Sequence, residues 1–315
     1  MIKIEKLLRK TQEQLFEFLS EKYKEIAVVK KKEFIYVPGE APVLLVAHLD
    51  TVHREKVKVI CYSRSGNILM SPQGIGGDDR CGVYALMKLY ETATVKPHMV
   101  FTCDEETGGY GAESFALYMG EEIEKTNINP FKLIVEIDRK GNKDAVYYDC
   151  DNKEFETYIN SKGFITDFGT FTDISLIAPV VGIAGVNLSS GYYNAHTQYE
   201  YIDRKDLYST IHKVESIIKD SIKKDFPVYK YIKAKNSFFG GYGYSTALEL
   251  DNDWKEDLSE TVPLYLQEQY DYLSSIYGQK EIDEYRKLYG NSVLHELYEQ
   301  EIEYENENTQ AHQGY

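Results

Sequence analysis

Seven short apolar runs alternate with helix-period segments along the first two thirds of the chain, at 34–37, 43–47, 57–62, 99–103, 133–137, 145–148 and 181–186. Each is strand-sized and bounded by turn residues. Helices are predicted between them at about 80–93, 109–119, 152–162, 171–177 and 204–222. An amphipathic helix opens the chain over roughly 5–24, where Leu7, Leu8, Leu15, Phe16 and Leu19 recur near helical spacing. Such alternation builds βα units around a mainly parallel sheet. The expected fold class is α/β, a three-layer α/β/α sandwich with a mixed, mostly parallel sheet.

Charge divides the chain into dissimilar parts. Of 315 residues, 51 are acidic and 36 basic, for a net charge of −15, and the stretch 247–315 alone holds 17 acids against four bases. Binding to a phosphate backbone is excluded as a main role, because that attraction needs clustered Lys and Arg. No apolar run approaches the roughly 20 residues of a membrane helix, and the N-terminal MIKIEKLLRKTQEQ has no leader-like apolar stretch. A soluble cytoplasmic protein is expected. Cys61, Cys81, Cys103 and Cys150 show no CxxC spacing, so they read as reduced thiols. The predicted organisation is an α/β domain over 1–236, a Gly/aromatic linker over 237–246 and an acidic, Tyr-rich helical extension over 247–315. Within that extension one apolar stripe runs from Trp254 to Tyr277 and a second from Ile282 to Ile302, with a frayed end from Glu303.

Functional groups in α/β sheets gather beyond the carboxyl ends of the strands, and five predicted strand ends each deliver a carboxylate or an imidazole. VLLVAHLD supplies His48 and Asp50, and the 68–71 segment leads into GIGGDDR with Asp78 and Asp79. HMVFTC runs into Asp104, Glu105 and Glu106, FKLIVEID ends in Asp138, and the last run continues through NLSSGYYNAH to His196. Any one of these is ordinary. Asp78 and Asp79 suit the start of a helix at Arg80, and Glu105 and Glu106 suit the next helix dipole. Together they would repel strongly unless cations sat among them. Imidazoles mixed with carboxylates suit Zn2+, with Co2+ or Mn2+ as alternatives, and paired ions in hydrolases sit about 3.5–4 Å apart across a carboxylate and a water. Other chemistries fit less well. Gly74, Gly76 and Gly77 precede two aspartates rather than the GK[ST] of a phosphate loop, and neither HExxH nor GxSxG occurs. Cys81 and Cys103 read as core residues, His53 as a surface residue, and His98, His212, His295 and His312 as structural or exposed.

In order, HLDTV, GGDDRCG, DEETGG, the strand ending in Asp138 and GYYNAHTQYEY resemble the motifs of the di-zinc exopeptidase clan. That clan includes the bacterial leucyl aminopeptidases, peptidase T and the glutamate carboxypeptidases, and the resemblance spans about 40–205. It implies that His48 and Asp138 bind one ion, that Glu106 and His196 bind the other, and that Asp78 bridges them. Asp50 is implied to support His48, Glu105 to act as general base, and the Asp78–Asp79 peptide to be cis. Arg139 departs from the better-known members and is expected either to contact substrate or to pair with a carboxylate that supports the metal ligands. Asp173, Gly191 and Tyr192 fall where related enzymes form the substrate pocket. Successive ligands are 30, 28, 32 and 58 residues apart, gaps too short for the lid or β domain inserted in some branches. The resemblance therefore implies a minimal catalytic domain that acts as an aminopeptidase on short peptides. A related amidase or deacylase, or a non-catalytic binding protein using its acidic tail, are the alternatives. The expected partners are a peptide or small amide substrate, with neither nucleic acid nor membrane. The tail is expected to serve as a lid, in a homo-oligomer, or in binding a basic protein.

Overall fold

In the computed structural model, which describes residues 2–169, 171–234, 267–280, 282–283 and 298, the opening apolar stripe is cut in two. Helix α1 (Ile4–Leu8) stops, and α2 (Gln12–Lys22) restarts behind a capping box at Thr11. Thr11 Oγ1 accepts the Gln14 N–H at 3.3 Å, while Gln14 Oε1 accepts the Thr11 N–H at 3.3 Å. Two backbone donors with no partner inside the helix are thereby satisfied. Thr11→Ala should destabilise the fold by about 1 kcal/mol, measured by denaturant unfolding; an unchanged midpoint would remove the cap from the account.

The chain then builds β1 (Val28–Lys30), β2 (Phe34–Val37), β3 (Ala41–His48), β4 (Cys61–Tyr62), β5 (Ile68–Met70) and α3 (Gly77–Thr92). Next come β6 (Pro97–Thr102), α4 (Tyr110–Thr126), β7 (Leu133–Arg139), β8 (Asp144–Val146), α5 (Lys153–Ser161) and β9 (Ile165–Thr166). The series closes with α6 (Asp173–Val181), β10 (Gly185–Ser189), β11 (Tyr192–Tyr193), β12 (Tyr201–Asp203) and α7 (Arg204–Ser221). Two predicted strands change. Of 57–62 only β4 forms. The 181–186 run is shared between two elements: Val181 ends α6, Gly182 at φ 70° stops that helix, and β10 begins at Gly185. An unbroken apolar run has no period to mark such a join.

Eight strands make the main sheet in the order β1-β2-β6-β3-β7-β10-β8-β9, with β6, β3, β7 and β10 mutually parallel. The sheet is mixed and mostly parallel, as expected. Alternation along β3 shows why it has three layers. Val43, Leu45 and Ala47 join the apolar cluster that includes residues of α1, α2, α3, α5 and α7, while Leu44 and Val46 join the one formed with α4 and α6. Both faces of the central strands are thus covered, as their continuous hydrophobicity requires. The parallel run places the carboxyl ends of β3, β6 and β7 along one edge. A second, four-stranded sheet, β11-β12-β5-β4, was not predicted.

The chain divides into two compact units, Met1–Lys235 and Asn236–Tyr315. In the second unit, α8 (Gln267–Tyr277) carries Tyr270 and Leu273, which pack with Ile282, and Tyr270 Oη donates to Asp283 at 2.9 Å. The predicted linker at 237–246, the stripe residues Trp254 to Leu266 and the end from Glu303 lie outside the described residues.

Candidate metal centre

His48 ends β3 with its imidazole fully buried. Its Nδ1 lies 3.2 Å from Asp50 Oδ1, and the two Asp50 oxygens also accept the N–H groups of Glu105 at 3.1 Å and Glu106 at 3.0 Å. One carboxylate therefore fixes both the imidazole and the loop that leaves β6. With Nδ1 engaged, Nε2 faces outward. It lies 3.0 Å from Asp78 Oδ1, 3.4 Å from Asp138 Oδ1 and 4.0 Å from Glu105 Oε2. The second Asp78 oxygen lies 3.2 Å from His196 Nε2, which is in turn 3.4 Å from Glu106 Oε2. Three groups thereby bring ligand atoms within 4.8 Å of one another: His48–Asp78–Asp138, Asp78–Glu106–His196 and His48–Glu105–Glu106.

Local backbone explains how neighbouring acids separate. The Asp78–Asp79 peptide is cis, and neither residue has helical angles although α3 formally begins at Gly77. Asp78 faces the imidazoles, while Asp79 turns inward to accept the N–H groups of Gly82 at 2.8 Å and His48 at 3.3 Å. The capping role weighed for the pair thus belongs to Asp79 alone. His196 sits in the left-handed region at φ 63°. Reading all five polar positions as ends of one sheet needs correction. His48, Asp138 and the Glu105–Glu106 loop follow main-sheet strands, whereas Asp78 and His196 come from loops after β5 and β11 of the small sheet. The apolar runs alone do not say to which sheet a strand belongs.

The charge is crowded and largely dry. Arg80, 2% exposed, is the buried guanidinium beside the cluster, and it donates to the main-chain oxygens of Asp50 at 2.8 Å and Lys10 at 3.2 Å. Burial pushes the Glu105 carboxyl up to about 10 and Asp138 to about 7, in each case helped by neighbouring carboxylates. Burial and Asp78 also raise Glu106. Hydrogen bonding to Asp78 lifts His196 to about 9. Burial alone would lower His48, but the charge of Asp138 and the bonds to Asp138, Asp50 and Asp78 hold it well above the usual imidazole range. Burial opposes ionisation of Asp78, and the His196 and His48 bonds outweigh it. Glu106 Oε1 and Asp138 Oδ1, one from each of the two triplets sharing Asp78, are buried; the first has no hydrogen-bond partner and the second only the long 3.4 Å approach of His48 Nε2. Unsatisfied carboxylate oxygens on both sides of a shared aspartate, with two imidazole nitrogens, fit a pair of divalent ions.

The remaining predicted residues lie elsewhere. Asp173 is fully buried at the start of α6, accepts from the Thr102 hydroxyl, and has its other oxygen unpartnered, so it offers no surface to a substrate. Tyr192 is likewise buried, its hydroxyl donating to the Asp138 carbonyl at 2.7 Å. Gly191 is buried at φ 86°, where a Cβ would come within 2.5 Å of Leu207 N. Both belong to the packing behind the centre rather than to an accessible pocket wall. Arg139 pairs with the half-exposed Asp167 at 3.0 Å and donates to the Phe168 carbonyl. His53 is partly buried rather than fully exposed: its ring lies against Gly74, and its Nε2 is 2.6 Å from Glu200. Glu200 itself went unnoticed, as did Thr172, whose hydroxyl lies 2.8 Å from Glu136 and 3.3 Å from Asp138. Cys81 and Cys103 are core residues, as expected.

No known family profile and no curated protein matches the sequence. Among solved structures, the aminopeptidase PepT from Bacillus cereus is similar with a TM-score of 0.50 over 70% of this chain and 97% of that one, at 14% identity. A tripeptidase from Staphylococcus aureus gives 0.50 over 69% and 96%, at 15% identity. The TET aminopeptidase of a marine-sediment thaumarchaeon gives 0.52 over 68% and 94%, at 13% identity. The chain shares the fold of these aminopeptidase structures.

Proposed function

We propose that this chain is a metal-dependent exopeptidase of the cytoplasm that removes N-terminal residues from short peptides, with two divalent ions, Zn2+ ahead of Co2+ or Mn2+. The observation that carries this reading is the position of Asp78, whose two oxygens each face the Nε2 of a different imidazole, so one carboxylate serves both triplets. His48 and Asp138 would hold one ion and Glu106 and His196 the other, with Asp50 setting the His48 tautomer. When bound, such a pair polarises the scissile carbonyl and makes water a nucleophile near neutral pH. Glu105 takes the proton from the attacking water and returns it to the leaving amine. Elemental analysis followed by a panel of aminoacyl-anilides tests the reading. Two ions with turnover are expected; two ions with no turnover on any amide would overturn it.

Metal uptake should also release protons. His48 and His196 are held above the usual imidazole range and carry protons at pH 7, yet a ligand must be deprotonated. Loading should therefore free at least two protons per chain, one from each imidazole, with Glu105, held up to about 10, and Asp138, held up to about 7, adding to the count as cations lower them, and affinity should rise with pH. Calorimetry repeated in buffers of different ionisation enthalpy reads this directly. A heat independent of buffer would contradict it.

A further inference from the structure

We propose that Glu200 is a positioning residue of the centre: it fixes Asp78 by holding the main chain on which Asp78 rides. This inference rests on the two-metal reading. Glu200 lies four residues beyond His196 and is 0% exposed. Its Oε1 accepts the Asp78 N–H at 2.9 Å, and its Oε2 accepts the Gly76 N–H at 3.0 Å while lying 2.6 Å from His53 Nε2. A carboxylate this deep persists only where its oxygens are satisfied, and these three donors satisfy them.

Each donor belongs to a segment that shapes the site. At Gly77, between the two amides, a Cβ would come within 2.6 Å of Tyr192 and 3.1 Å of Glu200 Oε1. At Gly74 it would come within 2.2 Å of the His53 ring. These glycines let the main chain close around a carboxylate, the reverse of a loop that cradles phosphate. Glu200 also immediately precedes β12, which pairs with β5 just upstream of the same loop. The His196 and Asp78 segments are therefore joined twice, by a strand pairing and by Glu200. A neutral amide of equal volume would turn one acceptor into a donor facing an N–H group. The loop would have to move, and Asp78 with it.

Glu200→Gln should bind Co2+ about 10- to 100-fold more weakly than the wild-type chain, the loss typical when a ligand's supporting partner is removed. The readout is titration of metal-free, full-length protein with Co2+, followed by visible absorption, beside thermal unfolding of the same samples. A role confined to the fold lowers the unfolding midpoint but leaves Co2+ affinity and spectrum unchanged, and that result overturns the inference. If the variant does not fold, amide exchange in metal-free wild-type protein decides. Slow exchange at Gly76 and Asp78 supports the clamp, and fast exchange at both in a folded sample overturns it. Wild-type protein that binds no Co2+ would overturn the two-metal reading instead.

Discussion

Glu105→Gln is expected to keep both metal ions and lose nearly all turnover. The substitution preserves shape, and the Glu105 carboxylate is the most distant of the three facing His48 Nε2, at 4.0 Å against 3.0 Å for Asp78 and 3.4 Å for Asp138. The ions therefore keep the ligands assigned to them. What disappears is the ability to accept a proton from water and deliver it to the departing amine. Proton transfer by a placed side chain is worth about 10^2- to 10^4-fold, so kcat should fall by that order. In the metal-free chain burial first, then Asp138, Asp173 and Asp78, hold the Glu105 carboxyl up at about 10. Two nearby cations oppose those like charges and lower it toward the range where a base can work. Kinetics and metal content must come from the same preparation. Wild-type-like turnover with full metal would remove Glu105 from the chemistry.

Asp78→Ala should cost the protein both ions at once. Asp78 belongs to both triplets, so its loss strips a ligand from each side. Affinity should fall by more than the roughly 10- to 100-fold typical of losing only an outer partner. Asp138→Ala makes the informative contrast. It leaves Asp78, Glu106 and His196 intact, and elemental analysis should find one ion per chain rather than none. Two ions retained in Asp78→Ala, or none in Asp138→Ala, would show that the carboxylates are not divided in this way.

Much of this was legible in the sequence because local pattern and chemistry coincide. His48 and Asp138 each close an apolar run that becomes a central strand, and Glu105–Glu106 follow a third. Less legible was whatever depends on pairing between distant segments. Glu200 lies inside the GYYNAHTQYEY stretch, where His196 alone has the chemistry of an imidazole ligand, and only its contacts with Gly76, Asp78 and His53 reveal a buried acceptor. Tyr192 looked available to a substrate because its hydroxyl partner, the Asp138 carbonyl, lies on another strand. The capping signal at Thr11 was present, but an apolar stripe running straight through it suggested one helix where there are two.

The small sheet has a consequence for biosynthesis. Asp78 and His196 are brought together by the pairing of Tyr201–Asp203 with Ile68–Met70, strands far apart in the sequence. A nascent chain still on the ribosome presents His48, Asp78 and Asp138 well before His196 has been translated. On the two-metal reading the second site would then be complete only when nearly the entire Met1–Lys235 unit exists, and full occupancy would mark a finished fold.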